Sequence, residues 1–185
     1  MTPGSLQPTL GSQSHSLKRQ VRSRGAQRWA FKLSYAKRTR DEMAPLIAFA
    51  VAARGQFVSF LFVPPVIGNR RAGSGAPIVR ISTEKGRSVP VHGVAAGATI
   101  GKVGDYVKFA NGTKVYMLTA DAQANGSGQV DLAIEPALYA GVTAGEAVIL
   151  DNVPFTVAFA ADLHETPISP PQLYSWDCEL VEVLP

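Results

Sequence analysis

Cysteine is almost missing from this chain: Cys178 is the only one. A lone thiol makes no internal disulfide and no Cys₄ or Cys₂His₂ zinc site. The three histidines, His15, His92 and His164, are far apart, and none has a second histidine at the spacing of a metal-binding helix face. Long apolar runs are missing too. The two best, 44–53 and 57–67, fall well short of the roughly 20 residues that span a bilayer, and both contain proline. No membrane segment is predicted. The first 25 residues hold no apolar core of the kind a secretory leader carries, so no secretory signal is expected and synthesis in a cytoplasm is.

Each end of the chain lacks charge of one sign. Residues 1–40 contain no acid but 9 of the 18 basic residues, and residues 115–185 contain no Lys or Arg but 10 of the 14 acids. The net charge of +4 conceals this segregation. A uniformly basic chain would point to nucleic acid; a basic end and an acidic end also suit contact between subunits. What remains is globular composition: 185 residues, 46% hydrophobic and 17% charged. That predicts one domain or two small ones, with a core that needs no covalent staples.

Residues 1–25 are rich in Ser, Gly, Gln and basic residues and are predicted to be a flexible basic arm, ordered only by a partner. In Gln27–Tyr35 the residues Trp29, Phe31, Leu33 and Tyr35 alternate with Arg28, Ala30, Lys32 and Ser34, the pattern of a half-buried strand. Thr39 and Glu42 have capping-box spacing ahead of a helix over 40–54, with Leu46, Ile47, Ala50 and Val51 as its buried stripe and Gly55 as its stop. The helix is expected to begin at Asp41, with Pro45 in its first turn. The apolar run 56–63 reads as a strand covered on both faces. The Gly-rich stretch from 64 to 77 reads as a mobile connector.

From Ile78 to Phe159 the pattern changes to short strands and tight turns, suggesting a small barrel or sandwich. Ile78–Ser82 reads as a strand. Asn111-Gly112 predicts a type I′ hairpin between 105–109 and 114–119. Gln129–Glu135 alternates Val130, Leu132 and Ile134 against polar residues and ends at Pro136. Segments 147–150 and 155–159 read as a further pair. In Leu173–Val183 the residues Tyr174, Trp176, Cys178 and Leu180 share one face, which makes Cys178 a small buried hydrophobe. Pairing the first and last long strands gives a discontinuous outer domain, 26–77 with 161–185, and an inserted domain, 78–160.

Catalytic motifs are imitated but not met. Gly97–Val103 is one residue short of a P-loop and has Val where Ser or Thr must meet magnesium. Asp121–Asp131 resembles a calcium loop, but its twelfth position is Leu132 rather than a bidentate Glu. His164-Glu165 lacks the second histidine of a metalloprotease helix, and no Gly-x-Ser-x-Gly elbow occurs. No catalytic, cofactor-binding or metal-ligating residue is assigned, and enzymatic activity is not expected.

The order of several short stretches carries a likeness. Arg28–Tyr35, then Thr39–Glu42, Arg54-Gly55-Gln56-Phe57 and Phe60–Phe62, resembles the start of a family of tailed-bacteriophage tail proteins. Gly104–Phe109, Lys114–Thr119, Gly126–Gly128, Asp131–Leu138 and Glu146–Val148 are similar to that family's inserted β-domain, and Glu179–Val183 to its close. The likeness covers about 26–185 and leaves out the basic arm. It implies a mainly β chain of the α+β kind: a β-sandwich resembling the tail-tube fold with one flanking helix, plus an inserted β-barrel. It further implies a non-enzymatic adaptor at the tail tip or baseplate, without cofactor. Such a protein resides in the virion, joins the tail tube to the hub and host-recognition parts, and forms a homo-oligomer, with a hexameric ring favoured.

The charge segregation adds an interface expectation: Lys32, Arg38 and Arg40 on one side, Glu179 and Glu182 on the other. Two rival readings belong to other classes. One is a carbohydrate-binding attachment module built on the inserted domain. The other is a nucleic-acid-binding protein using the basic arm, with Tyr106, Phe109 and Tyr116 as stacking platforms; the acidic second half of the chain argues against it.

Overall fold

The computed structural model describes residues 1–184 of the chain. It is mainly β with one helix. Two compact units emerge: one comprises Met1–Phe60 and Val157–Val183, the other the intervening Leu61–Thr156. The inserted unit therefore takes in the 64–77 connector and ends before 160.

In chain order the elements are β1 (Thr2–Leu6), β2 (Thr9–Gln13), β3 (Arg19–Ser23), β4 (Arg28–Arg38), α1 (Arg40–Ala52), β5 (Phe60–Phe62), β6 (Ile78–Val79), β7 (Ser88–His92), β8 (Thr99–Gly101), β9 (Tyr106–Phe109), β10 (Val115–Leu118), β11 (Ala122–Gln123), β12 (Gln129–Glu135), β13 (Val148–Ile149), β14 (Phe155–Phe159), β15 (Ile168–Ser169) and β16 (Leu173–Glu182).

In the first unit β4 and β16 lie antiparallel, with Phe31 opposite Leu180 and Leu33 opposite Cys178. Strand parity decides which side is covered. Trp29, Phe31, Trp176 and Leu180 are buried, while Arg28, Lys32, Asp177 and Glu179 are exposed. The sheet order is β1-β4-β16-β14-β5, with β15 also on β16, and β2 and β3 form a separate two-stranded ribbon. The expected flexible arm, 1–25, is thus replaced by strands. β1 extends the sheet, from Thr2 opposite Lys32 to Leu6 opposite Arg28. These strands have no apolar alternation because both of their faces are exposed, so their sequence carries no buried-face pattern.

Helix α1 starts where Thr39 donates its N–H and its hydroxyl to the Glu42 carboxylate, at 3.1 and 3.0 Å. It begins at Arg40, so Pro45 lies beyond the first turn and one intrahelical bond is forgone. The buried positions are Met43, Ala50 and Ala53, with Leu46 and Ile47 half-buried. Val51, expected in the stripe, is 72% exposed because it lies round the helix from Ala50. Phe49 docks edge-on against Phe60, with ring centres 4.9 Å apart. Arg54 and Gly55 end the helix in the left-handed region, at φ 51° and 64°. A Cβ on Gly55 would come within 2.9 Å of the Asp162 Cα, so a side chain is excluded there.

The strand expected over 56–63 shrinks to β5, and it is not covered on both faces: Phe57 is 79% and Leu61 68% exposed. β5 ends the sheet order, so an apolar run that reads as central belongs to an edge.

In the second unit six strands run in the order β13-β9-β10-β12-β7-β6. The two ends meet: Ile78 bridges Ala147, and Val148 N–H reaches the Pro77 carbonyl at 3.0 Å. The sheet is thus nearly closed into a barrel around Val89, Val91, Ile100, Val107, Leu118 and Leu132. The expected strand 78–82 is only Ile78–Val79. β7 was not anticipated from sequence, since Pro90 interrupts its Val-x-Val alternation.

Two turn expectations fail. Neither Asn111 nor Gly112 has positive φ, which a type I′ turn requires at both. Instead the loop is longer, and the Glu146 carboxylate accepts the Asn111 N–H at 2.7 Å. Segments 147–150 and 155–159 do not pair with each other: β13 joins β9 and β14 joins β16. The 64–77 connector, expected to be mobile, is tied down. Arg70 donates to the Asp151 carboxylate at 2.6 Å and to the carbonyls of Gly75 and Ile100 at 2.9 and 3.2 Å. Arg71 Nε donates to Asp105 Oδ1 at 2.9 Å.

Candidate assembly surface

The five residues assigned to an interface do not form one surface. Lys32 and Glu179 are exposed but directly opposite each other on β4 and β16, so their charges face within one sheet. Arg38 pairs with Glu42 at 3.7 Å, both side chains being largely exposed. Arg40 is the exposed first residue of α1. Glu182 is fully buried, and its carboxylate accepts the Trp29 N–H at 3.1 Å. It is therefore no surface acid. Residues 176, 178, 180 and 182 share parity, so the alternation that turns Trp176 inward takes Glu182 with it. Counting acids by block conceals this; counting by parity reveals it.

A shallow pocket of about 390 Å³ on β4 and β16 includes Met1, Lys32, Ser34, Asp177 and Glu179. Ser34 donates its hydroxyl to Asp177. Cys178 also lines it; burial, and next the Asp177 carboxylate, push its thiol up to about 11. The thiol is thus neutral at ordinary pH and poorly nucleophilic.

The β2–β3 ribbon is a wholly exposed basic element. Thr9 pairs with Ser23, and the register runs to Gln13 opposite Arg19. Every ribbon residue is exposed, Leu10 and Val21 included. Lys18, Arg19, Arg22 and Arg24 lie on it or at its ends with no acid among them. A two-stranded ribbon is at best marginally stable alone in water, and a surface of this kind gains from docking. β1, at the end of the sheet order, offers an open backbone edge. Val51 and Phe57 add exposed apolar area on the same unit.

The imitated motifs are used locally. Lys102 donates to Asp121 at 2.7 Å and Val103 N–H at 2.9 Å; these bonds hold the Asp121 carboxyl below its usual range. The Asn125 side chain accepts the Ser127 and Gln129 N–H groups, closing its own turn. The groups with calcium-loop spacing are thus engaged in shaping the loop. No protein-family model matches the chain, and no curated protein sequence does.

Proposed function

We propose that this chain is a structural component of a bacteriophage tail. It is an adaptor at the tail tip that joins the tail tube to the hub and host-recognition parts, and its copies close into a ring, six being the first expectation. Its first unit is assigned the tail-tube architecture. The reading rests on the ordered resemblance over 26–185. The structural observation that favours it most is the wholly exposed basic ribbon, together with the open sheet edge of β1 that precedes it in the chain. Such elements gain their stability from a neighbouring protein, by strand pairing and charge complementarity. The adaptor acts by contact and not by catalysis.

Two measurements test this. Purified particles are probed with an antibody against the chain and imaged by electron microscopy; the label should sit at one end of the tail. Native mass measurement of the isolated protein, or of tail tips, should give a ring-sized multiple. A chain missing from purified particles, or labelled on the head, rejects the adaptor. A salt-sensitive DNA shift that disappears on removing residues 1–24 would instead favour the nucleic-acid reading.

A further inference from the structure

A pocket of about 340 Å³ lies between the last turns of α1 and the stretch that follows β14, wholly within the first unit. Its size falls in the range of small-molecule sites, roughly 300–1,000 Å³. Ile47, Ala50 and Trp176 form an apolar floor, and the lining carries one guanidinium, Arg54, and one carboxylate, Asp162. The walls are fixed before anything binds. The Gln56 N–H donates to Asp162 Oδ1 at 3.1 Å, which holds the turn after α1 against the 161–166 stretch. That stretch is anchored at both ends: the Ala160 N–H reaches the Glu179 carbonyl at 2.8 Å, and the Ser175 N–H reaches the Pro167 carbonyl at 3.1 Å. Between them the His164 ring packs edge-on against Phe159, with ring centres 4.3 Å apart.

Three features define what the pocket fits. First, both charges are within reach of a ligand. Arg54 and Asp162 are exposed, and among the described residues neither takes part in an ion pair, with each other or with any other group. Secondly, Arg54 has a left-handed backbone, φ 51°, where glycine or asparagine is unstrained and a longer side chain is disfavoured. The backbone therefore does not call for arginine there. Thirdly, opposite charges on one lining select against simple ions. A phosphate meets the Asp162 carboxylate, and an amine alone meets the Arg54 guanidinium. A ligand that carries both charges and an apolar group satisfies the cation, the anion and the floor together.

We propose that this pocket binds a free zwitterionic α-amino acid with a large apolar side chain. Its carboxylate lies on the Arg54 guanidinium, its ammonium on Asp162 and its side chain over Ile47 and Trp176. The planar fork of arginine matches a carboxylate, and an aromatic floor suits an apolar side chain. The site does not depend on the tail-adaptor reading: the isolated protein binds whether or not it assembles.

The test is NMR titration of the intact chain with L-phenylalanine and L-leucine at millimolar concentration. Glycine, N-acetylphenylalanine and phenylalanine amide serve as probes lacking the side chain, the ammonium and the carboxylate in turn. Phenylalanine or leucine should saturably shift the amides of Arg54, Gly55 and Asp162 and the Trp176 indole N–H, and each of the three contrasting probes should bind at least severalfold more weakly. Arg54→Asn suits the left-handed backbone and should leave the melting temperature equal or higher. Asp162→Asn keeps an oxygen for the Gln56 N–H and should stay folded. Each should weaken phenylalanine binding about fivefold, the upper value for one exposed charge pair. Phenylalanine amide should be insensitive to Arg54→Asn and N-acetylphenylalanine to Asp162→Asn. If neither amino acid moves these signals, if a singly charged probe binds as well as phenylalanine, or if both folded variants bind as the parent does, the proposal is wrong.

Discussion

Glu182 has its carboxylate inside the first unit, bonded to the Trp29 backbone, whereas Glu179, three residues earlier, is exposed. The two acids should respond oppositely to charge reversal. Glu182→Lys buries an unpaired ammonium and removes the acceptor of a buried N–H; the lost acceptor alone costs about 1–3 kcal/mol. That variant should be insoluble or unfolded. Glu179→Lys should fold, losing no more than about 1 kcal/mol from the like charge of Lys32 opposite it. Chemical denaturation of the two proteins decides this, and a stable Glu182→Lys would mean that β16 is turned over. Cys178 gives a pH test. Its folded-state pKa, about 11 against a reference of 9.0, is raised, so its neutral form is favoured on folding. The associated stability is complete below pH 9 and is lost as pH rises through about 11. Cys178→Ala should flatten the alkaline fall in stability, and alkylation of the native thiol at pH 8 should be much slower than in denaturant. Tyr35, raised by burial and next by Cys178, leaves a remainder of the alkaline fall in that variant.

At the scale of elements, the cap of α1 carries the opposite sign. Glu42 is held below its ordinary value by the Thr39 N–H first and the Thr39 hydroxyl next. Its stabilisation is present above the usual glutamate pKa and is lost as pH falls through the depressed one. Glu42→Gln should therefore remove part of the acid dependence of helical circular dichroism, and an unchanged acid limb would place the cap elsewhere. The connector offers a steric test. Gly73 has φ 104°, and a Cβ there would lie 2.3 Å from the Thr99 carbonyl oxygen. Gly73→Ala should cost more than about 1 kcal/mol, whereas a mobile loop would absorb it at no cost. Legibility followed burial. β4, β12 and β16 each bury one face, so Trp29/Phe31, Leu132/Ile134 and Trp176/Leu180 announce them by period two. β1, β2 and β3 bury no face and had no such signal. β6 and β13 are two residues each and owe their pairing to barrel closure, a long-range effect that no local window contains. The proposed assembly surface suffered similarly: charge counted along the chain found the basic and acidic ends, but only pairing puts Lys32 opposite Glu179 and gathers four cations on an exposed ribbon that carries no acid.

For the whole molecule the question becomes how copies or neighbours meet. The ribbon cations Arg19, Arg22 and Arg24 are exposed, so reversing all three to glutamate should change the stability of the isolated chain by no more than about 0.5 kcal/mol per substitution. On the proposed adaptor role, incorporation into particles should fall, because several weak pairs across one interface steer association even at roughly 0.2–1 kcal/mol each. Raising salt should mimic the change in the parent, since screening acts beyond about 8–10 Å. Lys32→Glu makes the contrasting case: it sets a like charge against Glu179 in the same sheet, so its defect should appear in the isolated chain's stability and not first in assembly. Deleting residues 1–24 should do both kinds of harm, because it removes the ribbon and also strips β1 from β4. Assembly read by particle incorporation and stability read by thermal melting separate these three variants. A ribbon-reversed chain that enters particles as well as the parent at low salt would eliminate the ribbon as the docking element. The contact would then rest on the β1 edge and on the exposed Val51 and Phe57 side chains, for which salt should have little effect.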